Sequence, residues 1–125
     1  MEKNKPLTKS EFQVMDILWS LPEQSGFTGD ILKAYPDPKP AYTTLATFLK
    51  ILKEKGFVQS ESVGKMLRYS AVVKREEYTR SFMKDVKNTF FGGSILSFVS
   101  FFAKEENLGQ EEIDQIIDII KKGKH

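Results

Sequence analysis

The sequence predicts a mainly α-helical protein in which three helices and a small β-hairpin are followed by three further helices. Two features support this prediction. Apolar residues recur at helical spacing in separate segments that end at Pro or Gly, and strand-forming residues are confined to two short runs on either side of a glycine. With 40% hydrophobic and 29% charged residues, the 125-residue chain has the composition of a folded, water-soluble protein.

The first helix is predicted to begin at Thr8. In Thr8-Lys9-Ser10-Glu11, the Thr8 hydroxyl and the Glu11 carboxylate can each accept a hydrogen bond from a free backbone amide, an arrangement called a capping box. The apolar residues that follow at helical spacing are Phe12, Val14, Met15, Leu18 and Trp19. A second, shorter helix is expected with Thr28 as its N-cap, and it must end before Pro36 because prolines follow.

The third helix is predicted to begin after Pro40 and to end at Gly56, which follows a lysine-rich last turn. One face is apolar and consists of Leu45, Phe48, Leu49 and Leu52, whereas the opposite face consists of Thr43, Thr47, Lys50 and Glu54. Threonine is a mediocre helix former, so its use at exposed positions indicates a contact surface rather than a merely solvated face. Hydroxyl groups suit phosphates and base edges.

Two strands are predicted next, at residues 57–61 and 67–72, joined by a tip around Val63-Gly64-Lys65. Three helices followed by a hairpin, with a basic third helix, form a winged helix-turn-helix, so we assign residues 1–73 to a DNA-binding domain. The predicted DNA contacts are Tyr42, Thr43, Thr44, Thr47, Lys50, Lys65 and Arg68. The alternative is a protein–protein assembly module, in which the same helix face contacts a protein instead of DNA.

Residues 74–125 are predicted to form a C-terminal dimerisation domain of three helices. The first runs from Glu76 to Phe91 before Gly92-Gly93, the second is short, apolar and capped by Ser94, and the third spans about Gln110 to Lys122. A unit this small cannot enclose so many large apolar side chains, so a second copy of the chain is expected to cover them. The predicted interface residues are Phe82, Phe90, Phe98, Phe101, Phe102, Ile113, Ile116, Ile117 and Ile120.

Basic charge is concentrated near the third helix. The chain has a formal net charge of only +2, but the stretch from Lys39 to Arg68 holds six basic and two acidic residues. A local excess of cations beside a helix with exposed hydroxyls favours a polyanionic partner. We therefore expect double-stranded DNA to be the partner.

Several catalytic and metal-binding chemistries lack the residues that they need. The chain has no Cys, and its single His is the terminal His125, so thiol nucleophiles, Ser-His triads and Cys or His metal clusters have no members. Gly92-Gly93 lacks the strand and the Lys-Ser/Thr of a phosphate loop. We expect no enzymatic activity, cofactor or metal. Because the N-terminal residues Met1–Pro6 lack a signal-peptide pattern and no apolar run could span a membrane, we expect a cytoplasmic location.

Motifs along nearly the whole chain resemble one family when they are taken in order. They are Glu11-Phe12-Gln13-Val14-Met15-Asp16-Ile17-Leu18-Trp19, then Thr44-Leu45-Ala46-Thr47 with Leu49 and Leu52 before Lys55-Gly56, then Gly64-Lys65 and Tyr69, and finally Phe91-Gly92-Gly93. The family is that of the penicillinase and methicillin-resistance repressors of bacteria, the BlaI/MecI type. Each motif is weak alone, but their order is specific.

The resemblance implies a homodimer that represses transcription at an inverted repeat, the operator of antibiotic-resistance genes. It also implies relief by proteolysis at an Asn-Phe bond, triggered directly or indirectly by a membrane sensor metalloprotease. The aligned pair here, and hence the candidate cleavage site, is Phe101-Phe102, which lacks the Asn. The family often has Arg where this chain has Ile51, so a phosphate contact is lost or shifted to Lys50.

Overall fold

A computed structural model of the chain describes residues 6–123, which contain six α-helices and three β-strands. The elements are α1 (Lys9–Ser20), β1 (Ser25–Phe27), α2 (Thr28–Lys33), α3 (Tyr42–Glu54), β2 (Val58–Val63), β3 (Met66–Ala71), α4 (Arg75–Phe91), α5 (Ile95–Glu105) and α6 (Gln110–Lys122). The mainly helical class with a small β-hairpin wing is therefore confirmed. None of the described helices is long and apolar enough to cross a membrane.

The predicted capping box at the start of α1 is confirmed. The Glu11 amide donates to the Thr8 hydroxyl at 3.1 Å, and the Thr8 amide donates to the Glu11 carboxylate at 3.1 Å. The prediction that Thr28 is the N-cap of α2 was wrong. Phe27 is the N-cap, and its amide donates to the Asp30 carboxylate at 3.0 Å. Because Asp30 supplies the capping acceptor, the helix begins at Thr28, which is a buried helical residue.

The sheet contains one strand more than the sequence predicted. Its order is β1-β3-β2, with both pairs antiparallel, and a two-residue turn at Gly64 and Lys65 joins β2 to β3. Gly64 has a φ of +64°, which suits a glycine in a tight hairpin turn. β1 was missed because Ser25–Phe27 is short and has little strand propensity of its own, so only its pairing with β3 defines it.

The chain divides into two compact units, Met1–Phe82 and Met83–His125. The first unit has a continuous apolar core, formed by α1, α2, α3, the sheet and the start of α4: Val14, Met15, Leu18, Trp19, Ile31, Tyr35, Leu45, Leu49, Leu52, Phe57, Val58, Tyr69, Ala71, Val73 and Tyr78. Leu45, Leu49 and Leu52 are fully buried on one face of α3, as the sequence predicted. Complete burial of such a side chain stabilises the fold by about 1.5–3 kcal/mol.

The second unit contains the end of α4 together with α5 and α6. Ser94 caps α5, as predicted, by accepting a hydrogen bond from the Ser97 amide at 3.0 Å. Phe91, Phe98, Phe101 and Phe102 contact one another with ring centroids 5.2–5.5 Å apart. Even so, no described residue from 83 to 123 is buried within the single chain. The division between these units falls after the predicted boundary at residues 73 and 74, and the assignment of 1–73 and 74–125 to separate roles stays a prediction.

Candidate nucleic-acid interface

The polar face of α3 is exposed. Thr43, Thr44, Thr47 and Lys50 are all exposed, and Tyr42 at the start of the helix has 56% of its surface accessible. The Thr47 hydroxyl donates a hydrogen bond to the Thr43 carbonyl at 3.0 Å. Its proton is therefore used within the helix, whereas its methyl group and remaining lone pair can face a ligand. The structure thus presents the four predicted α3 positions and Tyr42 on one accessible helix.

Besides its leucines, an ion pair with α1 holds the C-terminal end of α3 in place. At the C-terminal end, the Lys55 ammonium donates to the Glu11 carboxylate of α1 at 2.6 Å. Burial by itself would raise the pKa of Glu11, but hydrogen bonds from Lys55 and Thr8 and the Lys55 charge outweigh it, so its pKa lies below the ordinary value. At the other end, burial raises the pKa of Tyr69 in β3, and the nearby Tyr42 phenol adds to the effect. The C-terminal end of α3 is therefore tied to α1.

Most of the basic residues predicted near α3 are engaged within the protein. Lys39 donates to the Lys33 carbonyl at the end of α2 and to the Tyr35 carbonyl just after it. Lys53 donates to the Ser60 hydroxyl, Lys55 is paired with Glu11, and Arg68 is paired with Glu23. Of the six basic residues from Lys39 to Arg68, Lys50 and Lys65 have no hydrogen-bonded or ionic partner within residues 6–123. These two lysines are consequently the cations best placed to bind an external anion.

Arg68 and Lys65 occupy different parts of the wing. Lys65 is at the exposed hairpin turn, whereas Arg68 lies within β3 between Phe27 of β1 and Glu61 of β2. Because side chains alternate along a strand, Arg68 projects from the sheet face opposite the buried Tyr69. Its guanidinium is 3.4 Å from the Glu23 carboxylate. To contact DNA as predicted, Arg68 would have to break its ion pair with Glu23.

The wing also carries exposed apolar residues that the prediction did not include. Val63 and Met66 face each other across the turn, next to Leu67, and are 47%, 54% and 44% exposed, respectively. Exposed apolar groups beside a lysine can contact the sugar edges of a groove as well as a protein surface. No pattern in the sequence distinguished them, because apolar residues in a short strand are typical of core positions.

The predicted dimer-interface residues are distributed over both units. Phe82 stacks on Tyr78 in the first unit with a centroid distance of 5.9 Å and is 42% exposed. The other eight lie in α4, α5 and α6 of the second unit, all partly or largely exposed. The candidate cleavage pair Phe101-Phe102 lies inside α5, with 48% and 44% of these residues accessible. Two predictions concern residues outside the described range. The exclusion of His chemistry rests on His125, and the absence of a signal peptide rests largely on Met1–Lys5.

Sequence comparison finds relatives that match nearly the full length of the chain. The profile of the family described as penicillinase repressor matches residues 7–122. Methicillin resistance regulatory protein MecI of Staphylococcus aureus (strain N315) is 26% identical over 121 residues, covering 96% of this chain and 97% of that protein. The penicillinase repressor of Bacillus licheniformis is 24% identical over 126 residues, covering 100% and 97%. The penicillinase repressor of S. aureus is 26% identical over 119 residues, covering 94% and 93%.

Proposed function

The chain belongs to the penicillinase repressor family, and from this premise we propose that it is a transcriptional repressor that binds an inverted-repeat operator as a homodimer. The observation that carries the proposal is α3, whose threonine-rich face is exposed while its leucine face is fully buried. An exposed helix on a rigid scaffold is the element that a helix-turn-helix protein places in the major groove. Operators of antibiotic-resistance genes are the targets that the names of the relatives suggest.

The roles of the individual residues follow from their chemistry. Thr43, Thr44 and Thr47 present methyl and hydroxyl groups, which can contact thymine methyls and accept hydrogen bonds at base edges. Lys50 and Lys65 supply point charges for phosphates and therefore contribute affinity without sequence information. Tyr42 and Arg68 complete the proposed set of DNA contacts. Arg68 can contact a phosphate only after its ion pair with Glu23 breaks.

The homodimer is supported by the exposed apolar surface of the second unit. Phe90, Ile95, Leu96, Ile119 and Ile120 are each between 57% and 75% exposed in the single chain. So large an apolar surface is rare on a stable monomer and typical of an interface. A second copy of the chain would bury the same helices of both subunits against each other, which is the self-complementary arrangement of a two-fold dimer. Two symmetry-related α3 helices then match an inverted repeat.

Relief of repression by proteolysis belongs to the same proposal, with a membrane sensor metalloprotease as its direct or indirect trigger. The Phe101-Phe102 bond lies within α5, where its peptide groups are part of the helical hydrogen-bond ladder. Proteases bind extended chains, so cleavage at this bond requires α5 to unwind locally. Mass spectrometry of the chain from cells treated with a β-lactam should give fragments that end at Phe101 if this part of the proposal is correct.

The DNA-binding proposal is tested by two substitutions with different expected signatures. The probes are the duplex that the wild-type protein enriches from a randomised pool and a scrambled duplex of equal length. Thr47→Ala should weaken binding to the enriched duplex by about 1–3 kcal/mol with little effect on the scrambled one. Lys50→Ala should weaken binding to both and lower the salt dependence by about one unit of slope per subunit.

Matched controls are Thr79→Ala and Lys84→Ala, two exposed residues that belong to α4 rather than α3, and both should bind as the wild type does. Fluorescence anisotropy at several salt concentrations between about 50 and 200 mM measures all of these quantities. If Thr47→Ala and Lys50→Ala both behave like the controls, α3 does not contact DNA, and the protein–protein assembly module becomes the better account of its exposed face.

A further inference from the structure

The segment that joins the wing to α4 is held in place by the first unit. Val73 is 1% exposed, and the amides of Val72 and Val73 donate to the Phe57 carbonyl at 2.8 and 3.3 Å. The indole of Trp19, in α1, donates to the Val73 carbonyl at 3.0 Å. This last bond is buried, so water does not compete for it and its loss leaves a polar group without a partner. The residues just before α4 are therefore fixed by both α1 and Phe57.

The first residue of α4 makes a second connection to α1. The Arg75 guanidinium lies 4.9 Å from the centre of the Trp19 ring, a distance at which a cation interacts favourably with the face of an indole. The same guanidinium donates to the carboxylate and to the backbone carbonyl of Asp16. Arg75 therefore contacts two residues of α1, three positions apart and so on the same side of that helix.

Tyr78 makes the third connection, one turn further along α4. Only 6% of it is exposed, and its hydroxyl accepts a hydrogen bond from the Leu7 amide at 2.8 Å. Its ring lies 5.7 Å from the Phe57 ring and 6.3 Å from the Trp19 ring, measured between centroids. The beginning of α4 is thus bonded on one side by Arg75 and enclosed on another by aromatic rings.

We propose that Trp19, Arg75 and Tyr78 are positioning residues that hold the start of α4 against α1, and that this attachment restricts which half-site separation the dimer accepts. The inference rests on the proposed function. Inserting one base pair between half-sites moves one of them by about 3.4 Å and rotates it by roughly 35°. A winged-helix unit held firmly to α4 cannot follow this displacement without breaking contacts, whereas a loosely held one can rotate to meet it.

Arg75 is the residue whose replacement best separates positioning from stability. Its side chain is 47% exposed and that of Asp16 is 51% exposed, and ion pairs this accessible contribute little to folding. Arg75→Ala should therefore fold while losing the contacts to Trp19 and Asp16. Arg75→Lys keeps a positive charge near Asp16 but loses the planar group that lies over the indole. Trp19→Phe keeps an aromatic ring in the core and removes the hydrogen bond to the Val73 carbonyl.

The experiment measures how binding depends on half-site separation. The probes are the inverted repeat that the full-length wild-type chain enriches from a randomised duplex pool and two versions with one and two extra central base pairs. The wild type should lose affinity by about tenfold or more on the altered probes, in the range of a single mismatched base pair. The double variant Arg75→Ala with Trp19→Phe should lose only about twofold in affinity, or less, on the same altered probes. The loss for Arg75→Lys should lie between those of the wild type and the double variant. Arg80→Ala, the same change at an exposed position of α4, should match the wild type.

The failures of the two proposals are distinguishable. If the wild type enriches no inverted repeat, the proposed function fails and this inference fails with it. If it does, but the double variant shows the same penalty as the wild type, or the wild type itself shows no penalty, only the positioning role is overturned. Circular dichroism establishes that each variant is folded. If the double variant is not, the comparison is made with Arg75→Ala alone, for which the expected loss of selectivity is smaller because the hydrogen bond from the Trp19 indole to the Val73 carbonyl remains.

Discussion

Replacement of Glu11 by Gln should destabilise the first unit through one ion pair. Gln can still accept the hydrogen bond from the Thr8 amide, since Glu and Gln serve equally in a capping box. What it loses is the negative charge opposite Lys55, whose ammonium lies 2.6 Å from the Glu11 carboxylate. The substitution therefore isolates the connection between α1 and the end of α3 from the cap of α1.

The expected loss follows from the exposure of the two side chains, 8% for Glu11 and 23% for Lys55. Removing one partner of a fully buried ion pair costs about 3–5 kcal/mol, whereas a charged hydrogen bond contributes about 1.5–3 kcal/mol. Lys55 keeps some access to water once its partner is neutral, so the smaller range applies. We expect Glu11→Gln to lower the free energy of unfolding by about 1.5–3 kcal/mol.

Urea denaturation followed by tryptophan fluorescence measures this loss in the first unit, because Trp19 is the only tryptophan of the chain. The matched control is Glu23→Gln, which removes a carboxylate that is 82% exposed and 3.4 Å from Arg68. Such a pair contributes at most about 1 kcal/mol. A Glu11→Gln variant no less stable than the Glu23→Gln variant would refute the assigned role of the Glu11–Lys55 pair.

The same pair predicts how stability depends on pH. The pKa of Glu11 in the folded chain lies below its ordinary value of 4.5. A carboxyl group with a lowered folded pKa stabilises the fold fully above its ordinary pKa, and the contribution is lost as the pH falls through the folded value. The difference in unfolding free energy between the wild type and Glu11→Gln should therefore be largest near neutral pH and shrink below pH 4.5. A difference that is constant down to strongly acidic pH would contradict this explanation.

Three further predictions concern the core, the proposed dimer and the wing. Leu49→Ala removes a fully buried side chain and should cost about 2–5 kcal/mol in the urea assay, and a loss below about 1 kcal/mol would mean that α3 is not held by its leucine face. Phe98→Asp should dissociate the dimer in sedimentation experiments because it places an unpaired charge in an apolar interface, whereas a wild-type chain that is monomeric at micromolar concentration would remove the basis for the dimer. Gly64→Val should lower the midpoint temperature of unfolding, since a β-branched residue is strained at a φ of +64°. Gly64→Asn should lower it less, and equal effects of the two substitutions would exclude backbone strain as the cause.

The local signals in the sequence were sufficient for most helix boundaries. The capping box at Thr8, the N-cap Ser94, the glycine after the last turn of α3 and the bounds of α6 all match the structure, because each depends on side chains within a few residues of the backbone that they satisfy. The strand β1 was not predicted, since Ser25–Phe27 becomes a strand only through hydrogen bonds to β3, more than 40 residues away in the chain.

The sequence by itself also determined the composition of the α3 faces and the family of the protein. Helical periodicity places leucines on one side and threonines on the other whatever surrounds them, and ordered motifs along the chain resemble the family that the full-length match then showed. Side-chain periodicity is a property of the backbone, so it needs no knowledge of the rest of the fold.

Only the tertiary structure decided which charged residues are available to an external anion. From Lys39 to Arg68 the sequence presents six equivalent cations, but Lys55 is paired with a glutamate 44 residues away and Arg68 with one 45 residues away. The structure likewise revealed that Arg75, an ordinary exposed arginine in the sequence, contacts Trp19 and Asp16 of α1. Charge pairing depends on distances of a few ångströms between side chains, and those distances are set by how helices and strands pack together rather than by the spacing of residues along the chain.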